Sequence, residues 1–190
     1  PRNRRTITRP ILQDIELPLT DIDARHETYA ALLGKLSLAS DHRENLLSRG
    51  LTEEQIAVNG YKTMPVVGFS AIAKQLQSEG YYLGGVPGFY HRKDGSWTLV
   101  QERRGILIPA RSRDGKIQGL QIRLDKVQKG KFRWISSIGK QDGCKAEGCL
   151  SSGAGGAILP GLSAIGGNLP LILYTSAGSL YRELCSLALG

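Results

Sequence analysis

The sequence predicts an α+β chain: an N-terminal helical lead-in packed on a mainly antiparallel sheet, with the start of an α/β unit at the C-terminus. Three observations carry this. Apolar residues recur at helical spacing as far as Gly80, the period drops to two beyond it, and a strand, a tight turn and a helix succeed one another after Leu171. A length of 190 residues suits one ordinary domain or two small ones and is enough to bury a real core.

Residues 1–23, with Pro10 and Pro18 among scattered polar residues, are expected to form an extended basic and polar arm. Residues 24–137 follow as one subdomain, helical over 24–80 and an antiparallel sheet over 81–137. Tyr29, Leu32, Leu33 and Leu36 place the first helix from about Ala24 to Leu36. Asp41 and Glu44 have the D-x-x-E spacing in which the Asp caps a helix that should stop at Gly50. Thr52 and Gln55 repeat that logic as a T-x-x-Q capping box for a short helix ended by Gly60. Ser70 to Glu79, closed by Gly80, is another helix. Two capped helices around Arg49-Gly50-Leu51 have the outline of a helix-turn-helix DNA reader, but the net acidity of this stretch is wrong for a helix entering a groove. A packing unit is the better reading.

Beyond Gly80, residues 97–100, 105–110, 117–125 and 132–137 read as strands, with Asp114-Gly115 as a hairpin signal. Leu120, Ile122 and Leu124 fall on one face, while Gln121, Arg123 and Asp125 fall on the other. A half-buried sheet with an open polar and basic face is expected. Residues 138–168 are rich in Gly, Ser and Ala and read as a linker. In 169–190, Leu171-Ile172-Leu173-Tyr174 reads as a buried strand, followed by a turn at Ser176-Ala177-Gly178 and a helix.

The charge is local. The chain carries +8, made up of +4 in residues 1–9, −4 in 10–90, +9 in 91–145 and −1 in 146–190. So dense a cationic block, interrupted by apolar residues, suits a surface that meets phosphates; a merely solvated face is the bland alternative. No apolar run approaches the length of a membrane span and no signal peptide is recognisable, so membrane insertion is not expected and a cytoplasmic location is the default. The start at Pro1-Arg2-Asn3 reads as internal to a longer protein. Three cysteines argue against a disulfide framework. Cys144 and Cys149 have C-x4-C spacing, yet His26, His42 and His91 supply no matching ligand pair, so buried or free thiols are preferred over zinc. The three histidines read as surface residues. Gly153, Gly155 and Gly156 lack the G-K-[ST] ending of a P-loop, and no Ser-His-Asp or Cys-His arrangement is suggested by spacing.

Arg49-Gly50-Leu51-Thr52-Glu53-Glu54-Gln55-Ile56, then Gly60-Tyr61, then Gly88-Phe89-Tyr90, resembles the helical lead-in of bacterial-type DNA primase cores. The next stretch resembles them more fully: Gly105-Ile106-Leu107-Ile108-Pro109-Ala110-Arg111, then Gly115-Lys116-Ile117-Gln118-Gly119-Leu120, then Arg123, with Arg133-Trp134-Ile135-Ser136-Ser137 standing for a basic-aromatic-apolar-Asn-Ser segment. The pattern is seen in its fullest form in primase-like replication proteins of plasmids, phages and conjugative elements.

The resemblance implies template handling beside a catalytic domain of the toprim type. Arg111, Arg123 and Arg133 would contact single-stranded DNA and the RNA/DNA primer, with Lys116, Lys131 and Arg113 behind them. It also implies Mg2+ for the full-length parent, though no cofactor for this segment, together with a zinc-binding module upstream and a replicative helicase as a further partner. One departure is pointed: the family's first toprim strand ends in a Glu-Gly turn, and Ala177 holds the position of the Glu. The family's later Asp-x-Asp has no counterpart in the sequence. Carboxylates are needed to hold the ions that neutralise charge in phosphoryl transfer, so this segment alone is not expected to make primers. The alternative reading is a noncatalytic, primase-derived adaptor docking a helicase or other replisome protein through the acidic helical half. Trp134 reads first as sheet core and second as a platform for bases.

Overall fold

A computed structural model of the chain describes residues 16–112, 114–126 and 131–146. The first part of the N-terminal arm, Arg113, Cys149, Cys185, most of the glycine-rich stretch and the whole strand-turn-helix of 169–190 with Ala177 lie outside the described residues. Within them run four helices, α1 (Ile22–Gly34), α2 (Ser40–Leu47), α3 (Glu53–Asn59) and α4 (Phe69–Ser78). The strands are β1 (Lys62–Thr63), β2 (Phe89–His91), β3 (Trp97–Leu99), β4 (Gly105–Arg111), β5 (Ile117–Leu124) and β6 (Phe132–Trp134). This is the α+β fold that the change of period predicts, with every strand pair antiparallel.

Local chemistry sets the helix ends. Asp21 caps α1 by accepting from the amides of Asp23 and Ala24, both at 2.9 Å. The predicted apolar stripe of Tyr29, Leu32 and Leu33 is buried. Thr52 and Gln55 form the predicted reciprocal capping box at α3, and Gly60 closes that helix with a left-handed backbone (φ 70°). Thr52→Ala is expected to cost about 1 kcal/mol, read as a lower urea midpoint with an unchanged m-value. The cap expected from Asp41 does not form: α2 starts at Ser40, two residues earlier than that cap would place it, Ala39 is its N-cap, and no side chain serves it. Asp41 is drawn away by a two-bond ion pair with Arg104, which is stronger than one bond to a backbone amide.

The sheet differs from the single four-stranded reading in an instructive way. β1, from the helical half, joins the larger sheet in the order β1-β4-β5-β6, whereas β3 pairs with β2 as a separate two-stranded ribbon. In β4, Leu107 enters the main core with Ile117, Leu120, Ile122 and Leu124 of β5, beneath α1, α4 and the ribbon. Ile106 and Ile108 point the other way into a second core with Leu46, Leu51, Ile56 and Tyr61. β4 is apolar on both faces because both are covered, the second by α2 and α3. The expected open face therefore survives only over β5 and β6. Burial in this second core also pushes the Tyr61 hydroxyl up to about 12.

The chain after β6 is not the loose linker that its glycines suggest, as far as Ala146. Cys144 and Ala146 are buried, and Ser137 Oγ accepts from the amides of Gly88 (3.2 Å) and Cys144 (2.9 Å). A Cβ on Gly143 would stand 2.0 Å from the Ser137 carbonyl oxygen, so this glycine is required by close backbone approach. Leu17 and Thr20 of the arm run alongside, donating to the carbonyls of Gly143 (2.8 Å) and Gly85 (3.0 Å). No described helix is long and apolar enough to cross a membrane.

Candidate nucleic-acid interface

The open part of the second sheet face is built by β5 and β6, walled by α2. Residues directly opposite one another in an antiparallel pair share a face. Phe132 lies opposite Arg123, and Trp134 opposite Gln121. Arg123 projects toward α2, where its Nη1 donates to Asn45 Oδ1 at 3.2 Å; Nε of Arg49, one turn further along the chain, donates to the same oxygen at 3.0 Å. Two guanidinium groups thus converge on one neutral acceptor. Desolvation and the charge of Arg49 both push the Arg123 pKa down, Asp125 offsetting them only in part. The Lys131 pKa is also pushed down, first by Arg123, then by burial and Arg49. Three cations held this close repel one another, and an arriving anion would relieve that repulsion.

Beside this shelf a polar network pins α2 to the sheet. The buried His42 meets Thr63 Oγ1 through Nδ1 and Asp125 Oδ1 through Nε2, both at 2.8 Å. Arg104 donates to Asp125 Oδ2 at 2.7 Å and to both carboxylate oxygens of Asp41, at 2.8 and 2.7 Å. Arg104 holds the Asp41 carboxyl down at about 2, against an ordinary value of 3.8. A carboxyl depressed in the folded state contributes stability that is present above the ordinary value and is lost as pH falls toward the folded one. Asp41→Asn should therefore lower the unfolding midpoint above pH 5, with the difference from the native chain closing between about pH 4 and pH 2. Thermal unfolding followed across that range checks it.

The structure distributes the residues expected to contact nucleic acid. Arg123 and Arg49 come together on Asn45, and Lys131 lies within the electrostatic reach of both. Arg111 bends back to the hairpin, its Nη1 donating to the Gly115 carbonyl at 3.0 Å. Lys116 is ion-paired with Asp23 of α1, which raises its pKa. Arg133 lies opposite Ile122, on the side of the main core, so it does not share a face with Arg123. Arg113 lies outside the described residues. Other cations of the basic block sit elsewhere, Arg92 against Ser70 and Lys140 over the Tyr90 ring. Trp134 is half-buried on the shelf face rather than in the core.

Arg49 and Asn45 were not among the expected site residues, because the acidity of the helical half masks a single arginine at the end of its second helix. The histidines, read as surface residues, all have partners: His42 is buried, His26 Nδ1 accepts from the Ile117 amide at 3.1 Å, and His91 pairs with Asp142 at 2.7 Å. Among the described residues no group of His, Cys, Asp and Glu could hold a metal ion.

No protein-family model and no curated protein matches the sequence. Solved structures do. The RNA polymerase domain of Mycobacterium tuberculosis primase DnaG, in complex with a double-stranded DNA oligomer with a 6-nucleotide overhang, aligns at a TM-score of 0.50 and 18% identity, over 63% of this chain and 40% of that one. The fold is primase-like. The Aquifex aeolicus primase, comprising its zinc-binding and RNA polymerase domains, aligns at a TM-score of 0.47 and 16% identity, over 62% of this chain and 30% of that one. The chain thus spans less than half of either solved chain. Among the described residues, Arg49 and Arg123 meet on the Asn45 side-chain oxygen, with Lys131 in the same field.

Proposed function

We propose that this chain is part of a DNA primase-like replication protein, of the kind carried by mobile elements, and that its Arg49, Arg123 and Lys131 shelf binds single-stranded DNA template and the primer growing on it. The observation that carries this reading is the convergence of two guanidinium groups on the Asn45 side-chain oxygen, with a lysine adding to the same field. A fold gains nothing by holding three like charges together unless an anion takes its place among them. Arginine suits the task, since its planar fork bonds phosphate oxygens in pairs and also stacks on bases. Nucleotidyl transfer, with the Mg2+ it would need, is assigned to the longer parent.

The test is the binding of a fluorescent oligo-dT to the full chain at stepped salt. Three phosphate contacts to a single strand predict that log K falls against log salt with a slope near about −2. Lys116→Ala should leave the slope nearly as it was, because Asp23 already offsets that charge. Absence of binding at 50 mM salt (about 10 Å or more of screening length), or binding indifferent to salt, would overturn the reading and favour the noncatalytic adaptor.

A further inference from the structure

The shelf is more than a charged surface, because aromatic rings stand on it in register. Phe132 and Trp134 are two residues apart on β6, so both project from the face that carries Arg123. Phe132 is 43% exposed, a large ring left open on the edge strand of the sheet. Trp134 lies down across β5 where Gly119 offers no side chain: a Cβ there would stand 3.3 Å from the indole Cζ3. The glycine thus makes room for a flat ring beside an arginine, and that ring is only half-buried.

We infer that Phe132 and Trp134 form a two-step stacking platform for neighbouring bases of an unstacked single strand whose phosphates sit on Arg123, Arg49 and Lys131. This rests on the nucleic-acid reading given above and names the form of ligand that the same site takes. Residues two apart on a strand are separated by roughly 7 Å. A helical strand advances about 3.4 Å per nucleotide, so its successive bases cannot lie one on each ring, whereas an opened strand reaches both. Duplex DNA, its base faces already stacked, cannot use the rings at all. Charge complementarity selects the occupant: apolar rings bordered by three cations suit a polyanion with flat apolar faces. Gln121, opposite Trp134 and half-buried, stands at the edge of this platform.

Leucine keeps the apolar bulk and removes the stacking surface, so Phe132→Leu and Trp134→Leu test the platform without emptying the site. With oligo-dT as the probe, each is expected to weaken binding by about tenfold, in line with base-aromatic stacking, while the salt slope stays at the native value. Trp134→Phe should recover most of the loss. An oligonucleotide with two adjacent abasic positions should bind the native chain more weakly than intact oligo-dT, and the Trp134→Leu chain with a smaller difference. Trp97, packed at a tilt against His91 in the ribbon at 3.8 Å between ring centroids, serves as the fluorescence control: quenching should vanish with Trp134→Leu and not with Trp97→Phe. Leucine variants that bind within twofold of the native chain, at an unchanged salt slope, would overturn the platform and leave the phosphate shelf intact. Failure of the native chain to bind at low salt would overturn both.

Discussion

The double variant Arg49→Ala with Arg123→Ala is expected to lose single-stranded binding by one to two orders of magnitude and to flatten the salt dependence by about 1.4, the share of two phosphate contacts at about 0.7 each. The same substitution should not harm the fold. Arg49 and Arg123 repel one another and, among the described residues, bond a neutral oxygen, so removing both takes away an unfavourable charge pair together with two modest hydrogen bonds. Urea unfolding should place the variant close to the native chain, while anisotropy shows the loss of binding. The Lys131 pKa should rise toward its ordinary value once both guanidinium groups are gone, a change visible by NMR of the lysine side chain. If the salt slope of the double variant matched that of the native chain, these two arginines would not be phosphate contacts.

Gly105→Ala is expected to lower stability by on the order of 3 kcal/mol. Gly105 opens β4 opposite Leu124, and an added Cβ would stand 2.3 Å from the Arg123 carbonyl oxygen and 3.0 Å from Ile122 Cγ1. The obstacle is backbone of the central strand pair, so nothing flexible can move aside. Separating β4 from β5 at this point also disturbs the bond from the Asp125 amide to the Arg104 carbonyl (3.2 Å), and with it the network that pins α2. Loss of nucleic-acid binding should accompany the loss of stability here, in contrast to the double arginine variant, where the two separate. A midpoint within error of the native chain would mean that β4 and β5 are not spaced as described.

Much of the fold was legible because its signals are local. The capping box at Thr52, the stripe of Tyr29, Leu32 and Leu33, and the alternation of Leu120, Ile122 and Leu124 each depend on residues a few positions apart. Where the reading went astray, a distant partner decided the outcome. Asp41 has the sequence of a cap, and only Arg104, far along the chain, turns it into an ion pair. β1 is two residues long and becomes a strand by pairing with β4, which no periodicity over two residues can announce. The second core was foreshadowed in the unbroken Ile106-Leu107-Ile108 run, which alternation alone does not produce. The glycines from 139 onward suggested a linker, yet Gly143 is glycine because the backbone of Ser137 presses against it.

The placement of the candidate shelf was legible only in part, for the same reason. Arg123 and Lys131 stand out in a basic block, but the face each occupies depends on strand register, and register places Arg133 opposite Ile122 on the other side. Lys116 looks available in the sequence and is paired with an aspartate of the first helix. Arg49 belongs to the acidic half and joins the site only through the placement of α2. Summed charge locates a region; it takes the pairing of strands to say which of its cations share a surface.

Mapping where a single strand lands tests the shelf most directly. Titration of the isotopically labelled chain with oligo-dT should shift the amide and side-chain resonances of Asn45, Arg49, Gln121, Arg123, Phe132 and Trp134 together, with one common affinity, and leave the ribbon residues Arg92 and Thr98 unmoved. Shifts centred on the ribbon and Lys140, or spread evenly over every exposed lysine and arginine, would contradict it.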